Sequence, residues 1–326
     1  MRNERDIAPA SPASRQGVGA RVPRKEDDRL MRGRGQFVGD IRLAGLQDVA
    51  FVRSPLAHAR IKAIHVPERY RDVVFTAEDL VGIKPIRAVT SLAGFKVSDQ
   101  PILATGKVRQ VGELIAMCVA PSRAEAEDIA AAVTLDLEEL PAVYDMRKAM
   151  EPGAPLVHEH WGDNVFLESF FETNIESAFD APIKVTREIS TARQCMSPLE
   201  GRGVVASFDH RLDQLTLHSG SQMPHIVRNG LSDCLGMDQG QIRIVSPDVG
   251  GGFGHKGILL PEEVCLSWLT MQRGFPVRWI EDRREHLTAA ANCREHFYKI
   301  TVYADRDGTL RGIDCEALVD SGAYSS

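Results

Sequence analysis

The chain has 326 residues, of which 43% are hydrophobic and 26% charged, with a net charge of −6. That length exceeds what one hydrophobic core usually organises, so two domains are expected. The acidic balance excludes a global attraction to nucleic acid or to an anionic membrane, and no apolar run reaches the ~18 residues of a membrane-spanning helix. The opening MRNERDIAPASPASRQ lacks the apolar stretch of a secretory signal. Six cysteines (Cys118, Cys195, Cys234, Cys265, Cys293 and Cys315) are scattered without a CxxC pair. This suits buried thiols in a reducing cytoplasm better than a disulfide framework or a zinc site, so a cytoplasmic location is expected.

Residues 1–19 are rich in Ala, Pro, Ser and Arg without periodicity and read as a disordered lead. The basic residues from Arg21 to Arg34 are interrupted by Glu26, Asp27 and Asp28, which favours a surface segment over a nucleic-acid arm. DVAFVRS and ARIKAIHV predict strands of an antiparallel sheet with one wet face, and LIAMCVA predicts a continuous apolar strand. Ser122 and Glu125 form a capping box for a helix whose apolar stripe is Ile129, Ala130 and Val133. VTLDLEEL then returns as a strand, so the first block is α+β.

Residues 146–165 carry Pro, Gly and charge with weak periodicity and read as a linker. In it, His158 and His160 are more consistent with solvated side chains than with metal ligands. Beyond it, VVASFD and QLTLHSG predict a hairpin, and PHIVRNGLSDCLG a helix ended by Gly236 with Ile226, Leu231 and Leu235 inward. QIRIVS and VRWIED predict strands on either side of a helix from Pro261 to Gln272. FYKITVYADRDGTLRGIDCEALVD predicts a hairpin turning at Asp307-Gly308, with Ile313, Cys315, Ala317 and Val319 on one face.

The most informative stretch is VSPDVGGGFGHKG, between a strand and a helix. Consecutive residues without Cβ let backbone N–H groups approach a ligand, which suits a pyrophosphate or another anion. Gly252-Phe253-Gly254-His255-Lys256-Gly257 also matches the G-x-G-x-x-G dinucleotide fingerprint. Glu281 and Asp282 stand where a ribose-binding acid would lie, so the window leaves a nicotinamide enzyme open. The flanking hairpins argue against it, because such enzymes usually repeat the βαβ unit. A nucleophile elbow, HExxH and a Walker lysine are absent. Cys195 has no recognisable histidine partner for a catalytic thiol.

Several motifs in series resemble the molybdenum hydroxylases: xanthine dehydrogenase, aldehyde oxidase and the large subunit of aerobic carbon monoxide dehydrogenase, the last most of all. VPRKEDDRLMRGRGQFVGDI, VRSPLAHARI, KVRQVGELIAMCVAPSRAEAEDIAAAV and LEELPAVYD are similar to the a/b hammerhead domain. CMSPLEGRGVVASFD, LTLHSGSQMPHIVRNGLSDCLG, IRIVSPDVGGGFGHK and PVRWIEDRREHL are similar to the first molybdopterin-binding domain. The resemblance implies an α+β chain with a hammerhead domain over 20–145, the linker at 146–165 and an incomplete molybdopterin-binding domain over 166–326.

It also implies a molybdenum–molybdopterin cofactor, in the cytosine dinucleotide form. Gln222 corresponds to the glutamine that hydrogen-bonds an oxo ligand of the metal. Gly251, Gly252, Phe253 and Gly254 correspond to the loop whose amides contact the pterin and the oxo group, with Phe253 packing to hold the loop. The implied reaction hydroxylates an aldehyde, an N-heterocycle or carbon monoxide with water as oxygen source. Iron–sulfur clusters and FAD would lie on small and medium partner subunits. Two departures stand out. Gly257 occupies the place of the glutamate that purine-oxidising members carry, which implies a small-molecule substrate other than xanthine. The second molybdopterin-binding half, with its general-base glutamate, has no counterpart here, so the chain is expected to be inactive alone, either half of a split enzyme or a cofactor-binding fragment.

Overall fold

The computed structural model describes residues 17, 18, 20 and 22–325, so most of the expected lead lies outside the described residues. The chain divides into a unit ending at Gln36 and a unit from Phe37 onward. The first contains one helical turn, α1 (Asp27–Met31). Its charges pair among themselves, Arg24 with Asp27 at 2.9 Å and Arg32 with Asp28 at 2.8 Å, which accounts for the interleaved signs there.

The second unit is built on a seven-stranded mixed sheet in the order β10-β9-β8-β11-β1-β5-β3. In chain order these are β1 (Gln47–Arg53), β3 (Val74–Phe75), β5 (Leu114–Ala120), β8 (Gly203–Asp209), β9 (Gln214–Ser219), β10 (Ile242–Val245) and β11 (Val277–Ile280). Strands from both expected domains are neighbours, because β11 pairs with β1 in parallel and with β8 antiparallel. The wet face expected for DVAFVRS is therefore absent. β1 sits inside the sheet and buries Val49 and Phe51 on one face and Ala50 and Val52 on the other.

Each face has its own cover. On one, Phe51, Met117, Leu217 and Trp279 pack with α3 (Pro224–Leu235) and α4 (Pro261–Arg273) in the main core. On the other, Ala116, Cys118 and Ala120 meet Ala126 and Ile129 of α2 (Arg123–Ala132). Such double burial is why β5 reads as an unbroken apolar run. The expected capping box is present, with Ser122 Oγ accepting the Glu125 N–H. In α3 the inward stripe is Val227, Leu231 and Cys234, whereas Ile226 points outward, one residue off the expected face. Gly236 closes that helix in the left-handed conformation that lacks a Cβ penalty.

Two three-stranded sheets complete the unit. One has the order β4 (Lys107–Val108), β2 (Ala59–His65), β6 (Thr134–Glu139). The other has the order β13 (Leu310–Asp320), β12 (Glu295–Ala304), β7 (Ile183–Thr191). α5 (Arg283–Ala289) follows β11. In the linker, His158 is buried rather than solvated. Its Nε2 donates to Ala323 O at 2.7 Å and its ring lies 4.4 Å from that of Trp161. Cys118, Cys234 and Cys265 are buried free thiols as expected, but Cys293 and Cys315 are exposed.

Candidate functional site

The glycine loop leaves β10 and returns to α4, and the residues beneath it fix its shape. Glu200 holds the entry: its Oε2 accepts the Gly250 N–H at 2.7 Å and its own N–H donates to Gly250 O at 3.1 Å. The same Oε2 takes Nζ of buried Lys256 at 2.8 Å, so one carboxylate ties both ends of the loop. A Cβ at Gly250 would lie 2.5 Å from Glu200 Cβ, and one at Gly252 would lie 2.3 Å from Gln222 Cδ. Close approach, more than turn geometry, requires these two glycines. Gly251 and Gly254 instead have φ of +100° and +86°, where any side chain is strained.

Gln222 lies against this loop. Its Oε1 accepts the N–H of Gly254 at 3.0 Å and that of Lys256 at 3.3 Å, and its own N–H donates to Lys256 O at 2.8 Å. Two donors converging on one end of the amide settle which end is oxygen. Nε2 is left as a donor without a partner among the described residues, as are the backbone N–H groups of Gly251, Gly252 and Phe253. Three consecutive amides and one side-chain donor form a concavity suited to an anion, and the close packing of Gly250 and Gly252 preserves it. The site thus fits a pyrophosphate-bearing group with an electronegative oxygen near Gln222.

Phe253 differs from the expectation. Its φ of +53° is a left-handed conformation that costs roughly 1–2 kcal/mol outside glycine, and its side chain is 70% exposed. Its ring edge approaches Gly251, but it does not anchor the loop in a core. Glu200 and Lys256 do that work. Neither role is local in sequence, although Lys256, four residues past Gly252, is buried and so requires a carboxylate beside it.

Under the loop lies a dense ionic network. Buried Arg202 donates to Glu281 through Nε at 2.9 Å and pairs in bidentate fashion with Glu262 at 2.9 and 3.0 Å. Arg53 links Glu262 to Glu285, each at 3.1 Å. Burial works against ionisation of Glu281, but the neighbouring His255 ring and Arg202 outweigh it and hold the carboxyl well below the usual range. His286 Nδ1 donates to Glu281 Oε2 at 2.9 Å, and His255 Nδ1 donates to Ala291 O at 3.1 Å. Glu263, by contrast, is pushed up to about 7 by burial, which its hydrogen bonds from the Leu260 N–H and Ser219 Oγ do not offset.

This arrangement removes the support for the nicotinamide alternative. Glu281 is saturated by Arg202 and His286 and has no reach to a ribose. Asp282 is spent as the cap of α5, accepting the Glu285 N–H at 2.7 Å. The strands flanking the loop and α4 are not neighbours, since β9 and β8 separate β10 from β11. A dinucleotide-binding βαβ unit needs those strands parallel and close.

Comparison with known proteins agrees with the geometry. The molybdopterin cofactor-binding domain family matches residues 157–326, and the a/b hammerhead domain of aldehyde oxidase and xanthine dehydrogenase matches residues 32–141. The chain is 38% identical to the nicotine 6-hydroxylase large subunit of Paenarthrobacter nicotinovorans, over 96% of this chain and 39% of that protein. It is 34% identical to the carbon monoxide dehydrogenase large chain of Hydrogenophaga pseudoflava, over 95% of this chain and 40% of that protein. Among solved structures, quinoline 2-oxidoreductase from Pseudomonas putida 86 superposes with a TM-score of 0.87 at 36% identity, covering 93% of this chain and 39% of that one. The chain thus spans about 40% of the length of these relatives. Since the glycine loop and Gln222 both fall within the matched cofactor-binding stretch, the chain belongs to the molybdenum hydroxylase family.

Proposed function

We propose that this chain holds one side of a molybdenum–molybdopterin cofactor, in the cytosine dinucleotide form, within a cytoplasmic hydroxylase. Residues 20–145 make its hammerhead part, 146–165 the connection and 166–326 the cofactor-binding part. The assembly includes a second molybdopterin-binding half, an iron–sulfur small subunit and an FAD-binding medium subunit. Its substrate is an aldehyde, an N-heterocycle or carbon monoxide, and the oxygen it adds comes from water. When bound, the cofactor supplies the two-electron chemistry of that hydroxylation.

The residues here bind and orient. The amides of Gly251, Gly252 and Phe253 receive anionic oxygens of the cofactor, and Gly254 keeps the turn open with its positive φ. Gln222 Nε2 donates toward the reacting end, and a donor held in place beforehand has no reorganisation cost when charge develops there. The observation that carries this reading is the double occupation of Gln222 Oε1 by Gly254 and Lys256, which leaves the amide only its donor end to offer.

The test is kinetic. In the assembly purified from the native host, Gln222→Leu removes one preorganised donor and should lower turnover on the order of 10²-fold with molybdenum retained. Candidate substrates are screened as a panel of aldehydes, N-heterocycles and carbon monoxide. Unchanged turnover at full molybdenum occupancy would remove Gln222 from the site.

A further inference from the structure

The glycine loop, the end of β11 and α5 meet in a buried triad that includes none of the donors assigned to the cofactor. His255 comes from the loop, Glu281 follows β11 and His286 lies in α5, and each is at most 5% exposed. One ring nitrogen of each histidine and a carboxylate oxygen of Glu281 lie within 4.8 Å of one another. The two imidazole rings stand edge to face with centroids 4.7 Å apart.

The hydrogen bonds settle what these nitrogens offer. His255 Nδ1 faces the Ala291 carbonyl at 3.1 Å, so Nδ1 carries the proton and Nε2 a lone pair. That Nε2 is buried, has no hydrogen-bond partner among the described residues, and lies 4.0 Å from Glu281 Oε2. A ring held on a backbone carbonyl through one nitrogen, with the other left bare, is how a metal-binding histidine is oriented. His286 Nδ1 donates to the same Oε2 at 2.9 Å, which leaves its Nε2 as a second bare, buried nitrogen. The Arg202 guanidinium sits on the other oxygen, Oε1, and only the Arg202 backbone N–H reaches Oε2, at 2.9 Å.

The surrounding charge favours a cation. Among the described residues, Glu262, Glu281 and Glu285 pair with Arg202 and Arg53, three carboxylates on two guanidiniums. A surplus negative charge held away from water calls for a compensating positive one. Burial lowers the His286 pKa, which disfavours a proton in that role. A water molecule would satisfy the bare nitrogens but would leave the charge in place.

We propose that His255, Glu281 and His286 bind one divalent cation of the zinc class. Two imidazoles and a carboxylate suit such an ion better than magnesium or calcium, which take oxygen ligands. Ligands about 2.1 Å from a tetrahedral ion stand roughly 3.3 Å from one another, a spacing that the 2.9 and 4.0 Å separations bracket. His255 binds through Nε2 and Glu281 through Oε2. His286 binds through Nδ1, which already faces Oε2, and its proton moves to Nε2, so the ring stays neutral. The ion ties the glycine loop to β11 and α5 from beneath. This site does not rest on the cofactor reading.

The test uses the full chain with a histidine-free tag, stripped with a chelator, dialysed against zinc chloride and analysed for bound metal. About one zinc per chain is expected, with X-ray absorption showing nitrogen and oxygen neighbours and no sulfur. Zinc should also raise the chemical denaturation midpoint. His255→Gln and His286→Gln should each lose at least about nine-tenths of the bound zinc, with circular dichroism confirming that they fold. His160→Gln, at an exposed histidine elsewhere, should retain it.

A parent chain that binds no zinc would make water the occupant of the triad and overturn the inference. Zinc kept by both triad variants, zinc lost with His160→Gln, or sulfur in the coordination shell would place the ion elsewhere and overturn it as well. If one triad variant does not fold, the other decides, together with the metal count and coordination shell of the parent.

Discussion

The seven-stranded sheet and the β13-β12-β7 sheet differ in how their faces are finished. In the first, apolar residues on both faces meet α2 on one side and α3 and α4 on the other, and its buried charges are bonded to one another. In the second, one face has cover and the other exposes a row of branched aliphatic side chains. The contrast separates what the described residues complete among themselves from what they leave open. The glycine loop repeats it on a small scale: its underside is tied by Glu200, Lys256 and Gln222, while three amides above have no partner among the described residues. In both places the satisfied side makes the unsatisfied side rigid enough to be useful.

The comparison breaks most visibly if the buried network is opened. Arg202→Met leaves Glu262 and Glu281 as buried carboxylates facing each other's field without their shared cation. Removing one partner of such a pair costs about 3–5 kcal/mol, so the chemical denaturation midpoint should fall sharply. On the bare sheet, Val185→Lys in the isolated chain should change stability by no more than about 0.5 kcal/mol, because its side chain is already exposed. Similar losses for the two variants would show that the sheets are not finished differently.

A smaller effect comes from Glu263. Its folded pKa is raised from the ordinary 4.5 to about 7, so the folded state favours the protonated form. The stability it contributes is complete below pH 4.5 and is lost as pH rises through 7, up to about 3 kcal/mol. Glu263→Gln keeps an acceptor for the Leu260 N–H but cannot ionise, and should flatten the difference in stability between pH 5 and pH 8. The same pH dependence in variant and parent would remove Glu263 as its source.

Much of the fold was legible in the residues. Apolar runs, the Ser122 cap, the Gly236 stop and the Asp307-Gly308 turn all act within a few residues, and the corresponding elements formed where the pattern put them. The burial of β1 on both faces was not legible, because it depends on pairing with β11, more than two hundred residues away. β7 was not legible as a strand, since the polar and charged residues between Ile183, Val185 and Ile189 resemble the preceding linker. The Asp282–Glu285 capping box, by contrast, is a local signal for α5. At the site, the glycines and Gln222 could be placed from the motif order. Glu200 and the Arg202 network could not, because the partners of Lys256 and Arg202 come from distant segments and only the fold brings them together.

Whether the glycine loop holds a molybdopterin is decided by the cofactor content of the assembled protein. Molybdenum and the extracted cofactor are measured in the native-host assembly for the parent chain, for Gly252→Val and for Asp282→Ala. A side chain at Gly252 collides with Gln222 and blocks the amides, whereas Asp282 caps α5 and pairs with Arg123, away from the loop. Stoichiometric molybdenum and a pterin dinucleotide that survive Asp282→Ala and are lost in Gly252→Val are the predicted result. A nicotinamide dinucleotide lost with Asp282, without molybdenum in the parent assembly, would contradict it.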